Sequence, residues 1–151
     1  MTKPLLLSIC LSAFFFKPCF GSEIATQSIE FFRPLEGRWT REVDGIISHL
    51  DIDVIKSNKV EIRVESCHET GPARCARALQ TYFLKDENLV ALAGFETVAA
   101  SVNDLSPARV SITYRQPTES EDIVHAFELL SDSVLSLNSK SVKAHFSRRP
   151  L

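Results

Sequence analysis

The chain has few of the features that mark enzymes and nucleic-acid-binding proteins. Its 151 residues contain no Gly-x-Ser-x-Gly elbow, no His-Glu-x-x-His pair and no phosphate-binding glycine loop, so no motif predicts catalysis. The formal net charge is -2, and the lysines and arginines are scattered along the chain. A protein without a basic excess has little with which to neutralise phosphates, so we expect no binding to nucleic acid.

Long apolar runs are also missing, except at the N-terminus. There Lys3 supplies a positive charge, an apolar run follows over 5–16, and small residues come next. This order is typical of a secretory signal peptide, and the run is shorter than the roughly twenty residues that a membrane-spanning helix needs. The sequence therefore predicts a signal peptide over 1–22, a mature domain over 23–151, no membrane span, and a secreted or periplasmic location.

Cysteines are scarce, and their placement agrees with export. If Cys10 and Cys19 leave with the signal peptide, the mature chain keeps Cys67 and Cys75, an even pair suited to an oxidising compartment. We expect one disulfide that closes a small loop between two strands. A metal site from Cys67, His68 and Cys75 is the alternative, although it lacks a fourth ligand at a recognisable spacing.

The mature chain is rich in alternating apolar and polar residues. Apolar residues three and four apart first predict one short helix over 23–35, ended by Pro34. Alternation then predicts about nine strands. They lie at 39–43, 46–56, 60–65, 76–85, 89–98, 109–115, 123–130, 134–138 and 142–148. Asp44-Gly45 is typical of a tight hairpin turn, Gly94 suggests a bulge or bend, and Asn103-Asp104 breaks the pattern.

Consecutive strands joined by short turns indicate the fold class. Antiparallel strands in a chain of this length must hide their edges, and an up-and-down barrel does so by closing on itself. We therefore predict an all-β fold, a single antiparallel up-and-down β-barrel preceded by a short N-terminal helix, and we expect a monomer. A β-sandwich is the alternative, but it would more often require longer crossover connections.

The inward face of the predicted barrel is the candidate ligand site. Apolar positions on the core side of each strand, together with one histidine, would line it. These candidates are Leu50, Ile52, Val60, Ile62, Tyr82, Ile112, Tyr114, His125 and Phe127. His125 shares a face with Phe127, where it either satisfies a hydrogen bond in the barrel wall or anchors a ligand.

The last predicted strand places an arginine on the apolar face. Arg148 alternates with Phe146 and Ala144, so it is predicted to point inward. A buried guanidinium needs a partner, and the face of Trp39, the only tryptophan, offers a cation–π contact. Because the first and last strands of a closed barrel are neighbours, we expect this pair to be structural.

Two segments carry a resemblance to a known superfamily. Leu35-Glu36-Gly37-Arg38-Trp39, after a short helix and at the start of the first strand, resembles the Gly-x-Trp opening of the calycins, which include lipocalins and fatty-acid-binding proteins. Ala144-His145-Phe146-Ser147-Arg148 resembles their closing strand, whose arginine covers that tryptophan. The resemblance implies an exported, lipocalin-like protein that carries a small hydrophobic or amphipathic ligand inside the barrel.

The stretch 32–84 is also similar in layout to nitrobindin-like haem-binding barrels. The similarity includes Glu69-Thr70-Gly71 between two strands, followed by Thr81-Tyr82-Phe83-Leu84, and it implies haem as a candidate cofactor. Arg41-Glu42-Val43 stands where those barrels carry glycines, and the late histidine, His145, is predicted to face outward. We therefore expect no cofactor, with haem as the alternative.

A second function class remains open. The chain could be a secreted interaction protein, an enzyme inhibitor or a host-factor binder, in which the barrel is filled and the loop 67–75 contacts a protein partner. A disulfide across that loop would lower the ordering cost of docking it, and Glu69 and Arg74 would carry its charge. The volume of the barrel interior distinguishes the two classes.

Overall fold

Ten antiparallel strands close into one barrel. The computed structural model describes residues 29–70, 74–106, 108–140 and 142–148, so the predicted signal peptide and the helix before residue 29 lie outside the described residues. The strands are β1 (Gly37–Val43), β2 (Ile46–Ile55), β3 (Lys59–His68), β4 (Cys75–Lys85), β5 (Asn88–Ala93), β6 (Glu96–Ser106), β7 (Arg109–Tyr114), β8 (Ile123–Ser131), β9 (Val134–Ser139) and β10 (Lys143–Ser147). Each pairs with its sequence neighbours, and β10 returns to β1. The predicted barrel is confirmed, and the sandwich alternative is wrong.

The strand count differs from the prediction at Gly94. Ala93 pairs with Glu96, so Gly94 and Phe95 form a two-residue turn that splits the predicted strand 89–98 into β5 and β6. Gly94 has a φ of 67°, which a residue without a Cβ adopts readily. The apolar side chain of Phe95 continues the strand pattern through the turn, and this concealed the boundary.

Asn103 marks a bulge and not the end of a strand. Val102 pairs with Ile112 and Asp104 pairs with Ser111, so Asn103 is the extra residue in β6. A bulge inserts one unpaired residue while the ladder continues on both sides. The polar pair that was predicted to break the pattern therefore lies inside a strand that runs to Ser106.

A short 3₁₀ helix covers one end of the barrel. It spans Glu30–Leu35 and contains Pro34, which was predicted to end it. A 3₁₀ helix this short loses only one hydrogen bond to a proline, so the ring is tolerated. Phe32 and Leu35 are buried, and the ring of Phe32 stacks on the ring of Tyr82 with 6.3 Å between their centroids. We call this end the closed end.

Trp39 and Arg148 join the helix to the last strand at the closed end. The indole nitrogen of Trp39 donates to the Leu35 carbonyl at 2.9 Å, and the indole is fully buried. The guanidinium carbon of Arg148 lies 4.3 Å from the ring centroid, which is the contact that strand alternation predicts. Arg148 also donates to the carbonyls of Glu36 at 3.2 Å and Asp132 at 3.0 Å. Its guanidinium is therefore satisfied by the indole and the backbone together.

Large side chains pack the half of the barrel next to the helix. This half holds Phe32, Leu35, Trp39, Leu50, Ile52, Val60, Tyr82, Leu89 and Ile112. Most of them have no accessible surface. The other half, which we call the open half, ends in the turns 44–45 and 94–95, in the loop 115–122, and at the described residues 69–70, 74, 140 and 142.

Candidate functional site

The open half of the barrel contains a cavity of about 550 Å³. Barrel diameter grows with strand number, and about eight strands make an interior just wide enough for side chains to fill. Ten strands therefore leave space wherever the inward side chains are small. In the open half, inward positions on five strands carry Ser48, Ser66, Ala78, Ser139 and Ala144. The volume falls within the range of roughly 300–1,000 Å³ that is typical of small-molecule sites.

The wall of this cavity is mostly apolar. Its apolar lining residues include Ile62, Val64, Phe127, Leu137 and Phe146. Phe127 also packs edge-on against Phe32, with ring centroids 6.0 Å apart, so it separates the cavity from the packed half. An apolar wall of this kind can hold the hydrocarbon part of a ligand by the hydrophobic effect.

A polar cluster of Gln80, Tyr82, Tyr114 and His125 lies at one side of the cavity. The Tyr82 hydroxyl is 2.7 Å from Nδ1 of His125, and the Tyr114 hydroxyl donates to Oε1 of Gln80 at 2.7 Å. Gln80 in turn donates to the Leu92 carbonyl at 3.2 Å. Since Tyr82 occupies Nδ1, Nε2 of His125 is the ring nitrogen left for a ligand.

Burial sets the protonation of this cluster. It raises the pKa of the Tyr82 and Tyr114 hydroxyls, so both stay protonated at neutral pH. It lowers the pKa of His125 below the usual 6.5, because desolvation disfavours the imidazolium. The cluster therefore offers neutral hydrogen-bonding groups to the cavity at neutral pH.

Acidification should destabilise the barrel through His125. Burial lowers the pKa of His125 in the folded state, so as the pH falls the unfolded chain binds a proton before the folded chain does. The free energy of unfolding therefore decreases as the pH falls below about 6.5. His125→Gln removes this titration and keeps a hydrogen-bonding group near Tyr82. Urea unfolding between about pH 7.5 and 5.5 should show a smaller loss of unfolding free energy in the variant than in the wild type. Equal losses would contradict a buried neutral His125.

The structure distributes the predicted ligand-lining residues over two depths. Ile62, Tyr114, His125 and Phe127 line the cavity. Leu50, Ile52, Val60 and Ile112 point inward but lie in the packed core and do not line the cavity. Tyr82 also lies in the core, behind the wall, where it bonds to His125. Alternation identifies the face of a strand and not the depth along it, so it could not separate these sets.

Arg41 and Gln80 are the largest of the polar lining residues that were not predicted from the sequence; the others are Ser48, Ser66 and Ser139. Arg41 follows Trp39 by two positions on β1, so it shares the inward face and lines the cavity. That spacing was available in the sequence, but Arg41 was considered only as a departure from a glycine motif. Gln80 precedes Tyr82 by two positions on β4, so the same spacing places it on the inward face. The hydrogen bonds that orient it come from β5 and β7, and the sequence does not show them.

Cys67 and Cys75 form the predicted disulfide. They are directly opposite each other on β3 and β4, with Cα atoms 4.2 Å apart. Their sulfurs lie near the Glu65 carboxylate, but the disulfide uses both thiols, so the metal site from Cys67, His68 and Cys75 is wrong. The central residues 71–73 of the predicted contact loop lie outside the described residues.

His145 is exposed on the outer face of β10, as its alternation predicts. It lines an external cleft and not the interior cavity. His125 is the histidine that the described part of the chain places on the cavity wall.

Wider comparisons add no relative. The chain matches no family model, no curated protein and no solved structure. Among the described residues, no helix combines the length and the apolar composition needed to cross a bilayer. The cavity and its wall are therefore the observations on which a function can be argued.

Proposed function

We propose that this protein binds a small apolar or amphipathic ligand inside the open half of its barrel. The observation that carries this proposal is the cavity of about 550 Å³ with a mostly apolar wall. A cavity in a protein interior costs stability, because its lining loses packing contacts. A ligand that fills the space restores those contacts, and His125, Tyr114 and Gln80 can orient its polar groups.

The distribution of side-chain size supports a binding role. The half near the helix is filled by Trp39, Tyr82 and other large residues, whereas the open half has serine and alanine on the inward face of five strands. A barrel that served only as a scaffold for a surface loop could fill both halves. The interaction-protein alternative is therefore less favoured, since it was argued for a packed interior.

We further propose that the barrel is calycin-like and exported. The closed antiparallel barrel, the helix at its base and the contact of Arg148 with Trp39 fit the calycin resemblance. Ten strands are two more than the eight of lipocalins, so lipocalin-like carriage is proposed by analogy of architecture alone. The disulfide between Cys67 and Cys75 fits an oxidising compartment.

Haem carriage has weaker support than an organic ligand without iron. His145 does not line the cavity. His125 does, but its Nδ1 lies 2.7 Å from the Tyr82 hydroxyl and its ring is packed between Tyr82 and Tyr114. A ligand without iron needs only hydrogen bonds from this cluster, and His125 can supply one without leaving its contacts with Tyr82 and Tyr114.

Extraction of the natural protein tests the proposal. Protein purified from its native host without detergent should release an apolar or amphipathic compound into organic solvent, in roughly stoichiometric amount by mass spectrometry. A second exported protein from the same host, purified in the same way, is the control for adventitious lipid. If no compound exceeds that control and the purified barrel also fails to bind any apolar probe, the proposal is wrong.

A further inference from the structure

The seam between β1 and β10 is the weakest join in the described barrel. β1 pairs with β2 along its whole length, from Gly37 to Val43. In contrast, β1 pairs with β10 at a single position, where Thr40 lies opposite Ser147. On the open side of that pair, a cleft runs along the outside of the seam between β1 and the outer face of β9 and β10.

Arg41 lines both the interior cavity and the external cleft. It is half-buried, and among the described residues it is the one charged side chain on the wall of the cavity, since His125 is neutral there. No carboxylate lines either space within the described residues. Lys143 and His145 line the cleft from the outer face of β10, so the outside of the seam is also basic.

The other arginine on β1 shows what Arg41 lacks. Arg38 points outward and forms a bidentate pair with Asp51, with nitrogen–oxygen distances of 2.7 and 2.9 Å. For Arg41, the described part of the chain contains no hydrogen-bond or ion-pair partner. Partial burial of a charge without a partner costs free energy, and a guanidinium matches the geometry of carboxylate, phosphate or sulfate.

We propose that the ligand is an amphipath with an anionic head group, which binds Arg41 in the seam between β1 and β10 while its apolar part occupies the cavity. This inference rests on the ligand-binding function proposed above. The apolar wall takes the hydrocarbon, and Arg41 supplies the charge that the cavity otherwise lacks. Lys143 raises the positive potential at the outside of the seam and attracts the anion toward it.

Competition among chains of equal length tests the head group. In this test, dodecanoate, dodecyl phosphate and uncharged dodecanol compete with the neutral fluorescent probe N-phenyl-1-naphthylamine for the wild type and for Arg41→Met. The two anions are kept below their micelle concentrations and dodecanol below its solubility limit. The wild type should bind at least one anionic chain about tenfold or more tightly than dodecanol, and Arg41→Met should lose that preference while its dodecanol affinity stays within about twofold. The stronger anion identifies the head group as carboxylate or phosphate.

Dodecanol binding also reports that the variant is folded, so a misfolded barrel cannot imitate the result. Arg38→Met is the matched control, because it removes an arginine from the outer face of the same strand, and it should leave the preference unchanged. If the wild type binds dodecanol as tightly as both anions, or Arg41→Met keeps the preference, the head-group inference is overturned and the ligand-binding proposal stands. If neither the probe nor any chain binds the wild type, both fail.

Discussion

Replacing Trp39 with alanine is expected to lower the free energy of unfolding by about 3–5 kcal/mol. Trp39 is fully buried, its indole nitrogen bonds to Leu35, and its ring face carries Arg148. The substitution leaves a cavity at the closed end and removes the partner of a guanidinium. Urea unfolding followed by far-ultraviolet circular dichroism measures the change, since the variant has no tryptophan fluorescence.

Arg148→Met is the companion variant for this prediction. It removes the cation–π contact and the hydrogen bonds to Glu36 and Asp132 but keeps an apolar stem against Trp39. We expect a smaller loss than in Trp39→Ala. Because this contact lies at the closed end, both variants should still bind an apolar probe while folded. Unchanged stability with lost binding in Trp39→Ala would mean that the indole belongs to the ligand site.

Local signals in the sequence were enough to predict most of the fold. Asp44 and Gly45 have φ values of 53° and 74°, as expected for the hairpin turn that their sequence predicts. Short connections and alternating strands then leave closure as the way to hide the sheet edges. The errors at Gly94 and Pro34 fell where one residue type serves two structures, because glycine allows a turn as readily as a bulge and proline fits inside a 3₁₀ helix. At Asn103 a bulge was taken for the end of a strand.

The candidate site was less accessible to sequence reasoning. Parity correctly assigned Ile62 and Leu50 to the inward face, but only Ile62 reaches the cavity. The distinction depends on strand tilt and on the position of the helix, which are properties of the closed barrel. The pairing of Tyr82 with His125 depends on contacts between distant strands, so no spacing in the sequence could predict it.

Filling the open half from two walls should abolish most ligand binding. Ala78 on β4 and Ala144 on β10 both line the cavity, and their strands are far apart around the barrel. Phenylalanine at both positions would place two rings in the space that a ligand occupies. We expect the dissociation constant of an apolar probe to rise at least about tenfold. The unfolding free energy should be kept or raised, because filling a cavity adds packing contacts.

Fluorescence titration of wild type and of the Ala78→Phe, Ala144→Phe double variant with N-phenyl-1-naphthylamine is the most direct test of the binding cavity. Ala126→Phe is the control, because Ala126 lies on the opposite face of β8 from His125 and Phe127 and does not line the cavity. The wild type and the control should bind one equivalent of the probe with equal affinity, and the double variant should bind at least about tenfold more weakly while remaining folded. Equal affinity in all three folded proteins would contradict a binding cavity inside the barrel.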